Sequence, residues 1–194
     1  MTEVKVKKIK VAWGITGAGD KIQEIVEVMK DLQKQSENTV EIDVFISKAG
    51  ETMLNFYRLN EDLKKSFTKV FVEVNSNSPF LAGMLQNRKY EFLIIMPASS
   101  NTVAKLVNGI GDTLLTNSAL MSLKAFVPVW VMPVDYKESV ISTKLPNGKE
   151  MKIRVRKEEA DQVRRLEATE DVRVFENPAK VREGFLEWLK TICK

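Results

Sequence analysis

Residues 92–107 read FLIIMPASSNTVAKLV: an apolar run, a proline, a group of small polar residues and an amphipathic stretch. The run at residues 92–96 is apolar throughout, which is typical of a central parallel strand covered on both faces. Val103, Leu106 and Ile110 then recur at helical spacing. A buried strand that leads directly into a helix is the building unit of an α/β sheet, so this stretch predicts the fold class.

The same alternation continues on either side of this stretch. Further strands are predicted at residues 8–13, 40–47, 70–74 and 127–132, and further helices at 22–35 and 53–65. We therefore predict one Rossmann-like α/β domain over residues 1–194, with a doubly wound, mainly parallel sheet and helices on both faces. In that architecture the strand-to-helix loops meet at one edge of the sheet, where ligands bind.

The last third of the chain departs from this alternation. Residues 137–156 contain the turn sequence PNG at 146–148 between two extended runs, which predicts a hairpin insertion. Residues 157–167 are predicted to form a surface helix because few of them are apolar, and residues 172–175 an edge strand. The Asn-Pro pair at 177–178 is typical of the start of a helix and predicts a final one.

The composition excludes several classes of function. The 194 residues include no histidine and one cysteine, Cys193. A Ser-His-Asp triad, a histidine-ligated metal site and a thiolate-rich zinc or iron–sulfur site therefore cannot form within this chain. No apolar run approaches the roughly 18 residues of a membrane span, and the net charge of +4 is spread along the chain. We expect a cytoplasmic protein that binds no metal, membrane or nucleic acid.

A glycine-rich turn at residues 14–19 follows the first predicted strand. Its glycines stand at relative positions 1, 4 and 6, whereas the dinucleotide fingerprint needs positions 1, 3 and 6. The second strand ends at Ser47 and Lys48, where a dinucleotide site would place an acid for the ribose. A hydroxyl and a cation suit a phosphate better, so a mononucleotide is favoured over NAD. The alternative is that the glycines only form a tight turn.

A second loop, residues 97–102, opens the helix that follows the central strand. A proline and small residues end the strand there and keep the backbone accessible. Ser99, Ser100 and Thr102 add hydroxyls beside a helix N-terminus, whose free amides attract anions. The loop therefore predicts a site for a phosphate dianion that needs no arginine. The alternative is an ordinary helix cap built from Ser and Asn.

Residues 97–117, PASSNTVAKLVNGIGDTLLTN, resemble the signature of the FMN-binding flavoproteins. That family includes peptidyl-cysteine decarboxylases, phosphopantothenoylcysteine decarboxylase and flavin prenyltransferase. The sequence GITG at 14–17 and Ser47 fall where the other FMN-binding segments of the family lie, and the resemblance covers residues 8–135.

Within that family, the chain is most similar to archaeal flavoproteins and dihydromethanopterin reductases. The similarity rests on WGITGAG at 13–19, NSNSPF at 75–80, and VPVWVMPVD at 127–135 followed by LPNGKE at 145–150.

The resemblance implies FMN as the cofactor and a subunit that assembles as a trimer or a multiple of it, with FMN near a subunit interface. The glycine turn and Ser47 would line the phosphate and ribityl chain, the loop at 97–102 would hold the phosphate, and Asp112 would lie near the flavin ring. With Lys48 from the loop analysis, the predicted FMN-binding residues are Gly14, Thr16, Gly17, Ser47, Lys48, Pro97, Ala98, Ser99, Ser100, Asn101, Thr102 and Asp112.

Two departures from the family bear on the activity. The decarboxylases share a catalytic histidine and a PxMNxxMW segment, whereas this chain has no histidine and places Asp135 and Tyr136 where that segment has Met-Asn. Cysteine decarboxylation is therefore not expected. We predict an FMN-dependent oxidoreductase or electron carrier, because flavin chemistry needs no side-chain base. Electrons would pass from a reduced ferredoxin or NAD(P)H to an acceptor, with a pterin as the candidate that the resemblance offers.

Two alternatives remain open at this stage. One is a group-transfer enzyme of the prenyltransferase or decarboxylase type, and the other is a flavin-binding protein without catalysis.

Basic residues cluster in the last third of the chain and form a possible docking patch. Its members are Arg154, Arg156, Lys157, Arg164, Arg165 and Arg173. Complementary charge at the rim of an interface speeds encounter, so an acidic redox protein such as ferredoxin is a candidate partner. The alternative is a solvated helix face with i,i+4 pairs such as Asp161–Arg165.

Overall fold

The structure, a computed structural model, describes residues 8–145 and 147–192. Strands and helices alternate along most of these residues. In chain order the elements are β1 (Ile9–Ile15), α1 (Ile22–Gln35), β2 (Val40–Ile46), α2 (Lys48–Phe56), α3 (Asn60–Ser66), β3 (Val70–Val72), α4 (Leu81–Gln86), β4 (Leu93–Ala98), α5 (Ser100–Val107), α6 (Leu114–Lys124), β5 (Val129–Pro133), β6 (Ser139–Lys144), β7 (Glu150–Val155), α7 (Lys157–Glu167), β8 (Val172–Val174) and α8 (Pro178–Ile192).

The main sheet has six strands in the order β3-β2-β1-β4-β5-β8, and every neighbouring pair is parallel. The chain moves outward from β1 to β3 on one side, then returns and moves outward from β4 to β8 on the other. This arrangement confirms the predicted doubly wound α/β fold. The strand order reverses between β1 and β4, and a crevice at such a switch point is the usual ligand site of the fold.

Apolar residues form a core on each face of the sheet. One face carries Trp13 and Ile15 of β1 against α1 and α8, and the other carries Ala12 and residues of β4 and β5 against α4 to α7. Trp13 is fully buried, and its indole Nε1 donates a hydrogen bond to the Met96 carbonyl at 2.7 Å. A fully buried tryptophan with a satisfied N–H group is a core residue.

Several predicted boundaries differ in the structure. The helix expected over 53–65 is two helices, α2 and α3, which are separated at Arg58 by a left-handed backbone (φ 58°). Strand β1 extends into the predicted glycine turn as far as Ile15. Pro97 does not end β4, because the strand continues to Ala98 after an irregularity in its pairing with β5.

Helices α4 and α6 were not predicted from the sequence, and Ile110 lies beyond the end of α5 and is exposed. Helix α6 shows no clear amphipathic pattern because it buries hydroxyl side chains, including Ser118 and Ser122, together with its apolar ones. Apolar periodicity therefore gives little signal for this helix.

The hairpin lies outside the main sheet. Strands β6 and β7 pair antiparallel with each other, and Ser139 stands opposite Val155. The predicted turn includes Pro146, which, like Cys193, lies outside the described residues.

The elements after the hairpin follow the prediction with one difference. Strand β8 is the edge strand, and Asn177 Oδ1 accepts a hydrogen bond from Lys180 N at 3.0 Å at the start of α8. Helix α7 is less superficial than expected, because Ala160, Val163 and Leu166 form a buried face. No helix in the described part of the chain is long and apolar enough to cross a membrane.

A cavity at the carboxyl edge of the sheet

A cavity of about 710 Å³ lies where the carboxyl ends of β1, β2, β3 and β4 meet the helices that follow them. Its volume is within the range of sites for small molecules and cofactors. The residues that line it are Thr16, Gly17, Ser47, Lys48, Ala49, Glu73, Asn75, Ser76, Ser99, Asn101, Thr102, Asp112, Thr113 and Leu115.

Thr16 joins the two strands at the switch point. Its side chain is 3% exposed, and its Oγ1 donates to the Pro97 carbonyl at 2.7 Å and accepts from Ser99 N at 3.0 Å. The Thr16 amide also donates to the Pro97 carbonyl at 3.3 Å. These bonds hold the end of β1 against the loop that opens α5. Hydrogen bonds within the protein therefore fix this part of the cavity wall without help from a ligand.

Hydroxyl side chains cap two helices that begin at the cavity. Ser99 Oγ accepts from Thr102 N at 3.3 Å at the start of α5. Ser47 Oγ accepts from Gly50 N at 3.0 Å at the start of α2. Such caps define the first turn of a helix, whose amides and dipole favour a negatively charged group. The two caps therefore place favourable ends for an anion on the same cavity wall.

Two glycines allow α2 to approach β1 closely. A Cβ atom on Gly17 would lie 2.6 Å from the Cβ atom of Ala49, and one on Gly50 would lie 2.4 Å from the Ile15 carbonyl oxygen. No L side chain fits at such distances, so the glycines serve the close approach of backbone to backbone. This observation gives the glycine turn a packing role beyond that of a tight turn.

Glu73 is a cavity residue that the sequence analysis missed. It follows β3 and is 8% exposed. Its Oε2 accepts from Lys48 N at 3.0 Å and its Oε1 accepts from Leu114 N at 2.8 Å. One carboxylate therefore connects the first turns of α2 and α6. The signal in the sequence is an acid at the end of the apolar run VFVEV, at the ligand edge of the sheet.

The start of α6 closes the opposite side of the cavity. Thr113 and Thr116 form a reciprocal capping box, and the Asn117 amide donates to the Ser76 carbonyl at 2.9 Å. Asp112 forms an ion pair with Lys105 at 2.8 Å, and this bond lowers the pKa of the Asp112 carboxyl. Lys105 is thus held at the rim of the cavity.

The structure brings most of the predicted FMN-binding residues to the cavity wall. These are Thr16, Gly17, Ser47, Lys48, Ser99, Asn101, Thr102 and Asp112. The other four lie elsewhere. Gly14 is buried in β1, where an added Cβ would lie 2.7 Å from the Leu115 side chain, and Pro97 and Ala98 are buried in β4. The Ser100 hydroxyl donates instead to the Asp135 carboxylate.

Asp135 lies just beyond the cavity wall, after β5. Burial raises the pKa of its carboxyl above the usual range, and the hydrogen bond from Ser100 opposes this rise. The charges of Glu159 and Asp20 raise the pKa further. In the resemblance described above, Asp135 stands where the decarboxylases' segment has methionine, so this position carries an acid in place of a thioether.

The basic patch is partly neutralised by neighbouring acids. Arg156 pairs with Glu159 at 2.8 Å, and Arg164 pairs with Asp161. The sequence predicted the i,i+4 pair Asp161–Arg165, whereas in the structure Asp161 pairs with its i,i+3 neighbour Arg164 on the same helix face.

Arg173 is held in a different way. Its guanidinium lies over the rings of Trp130 and Phe175 and is 3.6 Å from the Glu187 carboxylate.

The fold and this cavity define the chain as a doubly wound α/β protein with a cavity at its switch point, bordered by helix N-termini that favour a negatively charged group. Comparison with known families makes the assignment specific. The model of the Flavoprotein family matches residues 1–181, so the chain belongs to the Flavoprotein family. The resemblance stated from residues 97–117 is thereby confirmed.

Two relatives come from Methanocaldococcus jannaschii. An uncharacterized protein is 38% identical to this chain, and the alignment covers 94% of this chain and 97% of the relative. A dihydromethanopterin reductase (acceptor) is 31% identical, with 91% of this chain and 96% of the relative covered.

Two solved structures extend the comparison. DmrB from Burkholderia xenovorans, crystallised in complex with FMN and described as a cubic protein cage for redox transfer, is 31% identical, with a TM-score of 0.81 and full coverage of both chains. A dodecameric FMN-dependent UbiX-like decarboxylase from Escherichia coli O157:H7 is 15% identical, with a TM-score of 0.64 over 96% of each chain. The second likeness shows the shared fold alone.

Proposed function

We propose that this chain binds FMN in the cavity and acts as an oxidoreductase that delivers electrons to a pterin. The observation that carries the proposal is the coincidence of the cavity wall with the predicted FMN-binding loops, eight of whose twelve residues line it. The likeness to FMN-bound DmrB over the whole chain supports the same cofactor.

The donor groups of the cavity fit the chemistry of FMN. A phosphate dianion needs several N–H and O–H donors, and the first turn of α5 offers the Ser99 and Thr102 hydroxyls beside its amides. Asn101 adds a side-chain amide, and Lys48 is the cation among the described lining residues. We assign the phosphate to the first turn of α5, and the less polar walls of the cavity to the ring.

The chain's own residues bind and orient, and the cofactor supplies the reactivity. When bound, FMN provides two-electron and one-electron redox chemistry. Thr16 fixes the phosphate loop before binding, so little ordering is needed when the ligand enters. Asp112 and Thr113 border the opposite side, where their polar groups can orient a bound ring or substrate. The absence of histidine fits a reaction that needs no side-chain base.

A pterin is the acceptor that the relatives favour. The dihydromethanopterin reductase (acceptor) from Methanocaldococcus jannaschii is 31% identical to this chain and aligns along nearly its whole length. The likeness to decarboxylases is one of fold, so it gives the group-transfer alternative no comparable support.

The first experiment tests cofactor and acceptor in sequence. The purified protein should be yellow, or should take up one FMN per chain on titration. After anaerobic reduction with NAD(P)H or a reduced ferredoxin, a dihydropterin should reoxidise the bound flavin in stopped-flow absorbance. A flavin that is reduced but not reoxidised by a dihydropterin would contradict the pterin assignment. A spectral change with dimethylallyl phosphate would favour group transfer instead.

We also propose that the chain assembles as a homotrimer or a multiple of a trimer. DmrB is described as a cubic cage and the UbiX-like decarboxylase as a dodecamer. Large apolar side chains are exposed near residues that line the cavity, namely Val74 beside Glu73 and Ile110 two residues from Asp112. Light scattering on a size-exclusion column measures the assembly, and a monomeric mass would contradict the proposal.

An acidic redox protein such as ferredoxin is the electron donor that we propose for the basic patch. The support is the charge of Lys157, Arg165 and Arg154, which carry no ion pair among the residues that the structure describes. Charge reversal at Arg164 and Arg165 should slow reduction at low salt, and an unchanged rate would remove the proposal. A cytoplasmic location accompanies this proposal, since a single cysteine suits a reducing compartment.

A further inference from the structure

Glu73 is an unusual acid for a cavity that binds an anionic cofactor. Its side chain is 92% removed from solvent, and it forms no ion pair within residues 8–145 and 147–192. Its two partners are backbone amides, Lys48 N and Leu114 N, at the first positions of α2 and α6. The positive ends of two helices therefore hold a carboxylate in the cavity wall without a neutralising cation.

Both carboxylate oxygens of Glu73 accept hydrogen bonds from backbone N–H groups, at 3.0 and 2.8 Å. A carboxylate that accepts such bonds forms charge-assisted hydrogen bonds, which are stronger than bonds between neutral groups. The two bonds keep the side chain from rotating away from the wall, so the carboxylate has a fixed position beside the cavity.

The other charged side chains on the cavity wall do not cancel the charge of Glu73. Among the described lining residues, the charged side chains are Glu73, Asp112 and Lys48. Asp112 is already paired with Lys105, and Lys48 is exposed to water, which screens its charge. Glu73 is buried, so its field reaches the cavity with the least screening.

We propose that Glu73 is a tuning residue that lowers the reduction potential of bound FMN and so makes the reduced flavin a stronger electron donor. The inference rests on the proposed binding of FMN in this cavity. Reduction adds electron density to the flavin, and a nearby negative charge disfavours the reduced form relative to the oxidised one. A lower potential makes electron transfer from the reduced flavin to an acceptor more favourable.

The size of the cavity gives the expected magnitude. A volume of 710 Å³ corresponds to a width of about 9 Å, so a charge on the wall lies within about 10 Å of most of what fills the space. At the effective dielectric of protein sites, one charge at this distance changes the ratio of the affinities for reduced and oxidised FMN about tenfold. For a two-electron couple, a tenfold change in that ratio equals about 30 mV.

The test compares two variants that undergo the same chemical change. Glu73→Gln removes the cavity charge, and Glu61→Gln removes an exposed acid of α3 that pairs with Lys64 and does not line the cavity. Midpoint potentials of bound FMN are measured by dye equilibration, together with dissociation constants for oxidised and reduced FMN. Glu73→Gln should raise the potential by about 30 mV, with about tenfold tighter relative binding of reduced FMN. Glu61→Gln should match the wild type.

A second variant covers the case in which Glu73→Gln fails to fold. Thr113→Asp keeps the N-cap of α6, because Asp caps helices as well as Thr does, and it adds a charge to the same wall. This variant should lower the potential of bound FMN. An unchanged potential in FMN-loaded Glu73→Gln, or in Thr113→Asp, overturns the inference. Failure of the wild type to bind FMN overturns the proposed function, and this inference with it.

Discussion

Replacing Thr16 by valine removes one hydroxyl group from the switch point and leaves the shape of the side chain nearly unchanged. The hydroxyl makes two hydrogen bonds, to the Pro97 carbonyl at 2.7 Å and from Ser99 N at 3.0 Å. In the variant the Pro97 carbonyl keeps the bond from the Thr16 backbone amide at 3.3 Å. The Ser99 amide keeps no partner of this kind, and the added methyl group of valine keeps water from replacing it.

The loss of stability in Thr16→Val follows from the Ser99 amide, which is left without a hydrogen-bond partner. A buried polar group without a hydrogen bond costs about 1–3 kcal/mol, and a net cost near 2 kcal/mol is expected here. For a chain of this size, 2 kcal/mol corresponds to a fall in Tm of about 4–8 °C. The loop that opens α5 also loses its tie to β1, so FMN should bind about tenfold more weakly as the loop must be ordered on binding.

Thermal and urea denaturation of the cofactor-free protein measure the first effect, and fluorescence titration with FMN measures the second. Thr16→Ser keeps the hydroxyl and should recover most of both losses. Thr169→Val is the matched control, because it removes a side-chain bond to the Arg165 carbonyl on an exposed surface. Equal stability and FMN affinity in Thr16→Val and wild type would show that the switch-point hydroxyl does not organise the site.

Three further predictions follow from contacts in and around the sheet. Gly17→Val would place a side chain 2.6 Å from the start of α2, so FMN affinity should fall at least about tenfold in titration while Gly17→Ala falls less. Hydrogen bonds from Lys10 and Lys69 lower the pKa of Glu41 to about 2. The stability that this acid contributes is therefore complete above its ordinary pKa and is lost as the pH falls toward 2. Acid titration followed by circular dichroism should show a smaller loss of stability in Glu41→Gln than in the wild type across that window. Ser100→Ala removes the donor that opposes burial at Asp135, so carboxyl NMR should show the Asp135 pKa moving further up, and a downward shift would contradict the assignment.

Local features of the sequence were enough to predict the sheet and most of the site. Each strand and the loop after it are contiguous, so apolar runs followed by small polar residues predicted the switch-point loops without long-range information. The placement of residues 99, 101 and 102 at the cavity wall was predictable because a helix cap involves only residues within about four positions of one another.

The features that escaped prediction depend on contacts between distant parts of the chain. Glu73 connects two helices through backbone amides that are 25 and 41 residues away in the sequence, and no local pattern around Glu73 predicts either partner. Ser100 was assigned to the phosphate with its neighbours, but Asp135, 35 residues further on, takes its hydroxyl. Helix α6 was missed because it packs on several sides and buries hydroxyls among its apolar residues.

The two outermost strands of the sheet, β3 and β8, are three residues long, the shortest of those described. Each therefore offers few free backbone groups to a strand from another molecule, and accidental edge-to-edge association is discouraged. Many copies could thus be packed side by side at high local concentration, with contacts made by helices and side chains while each sheet remains separate.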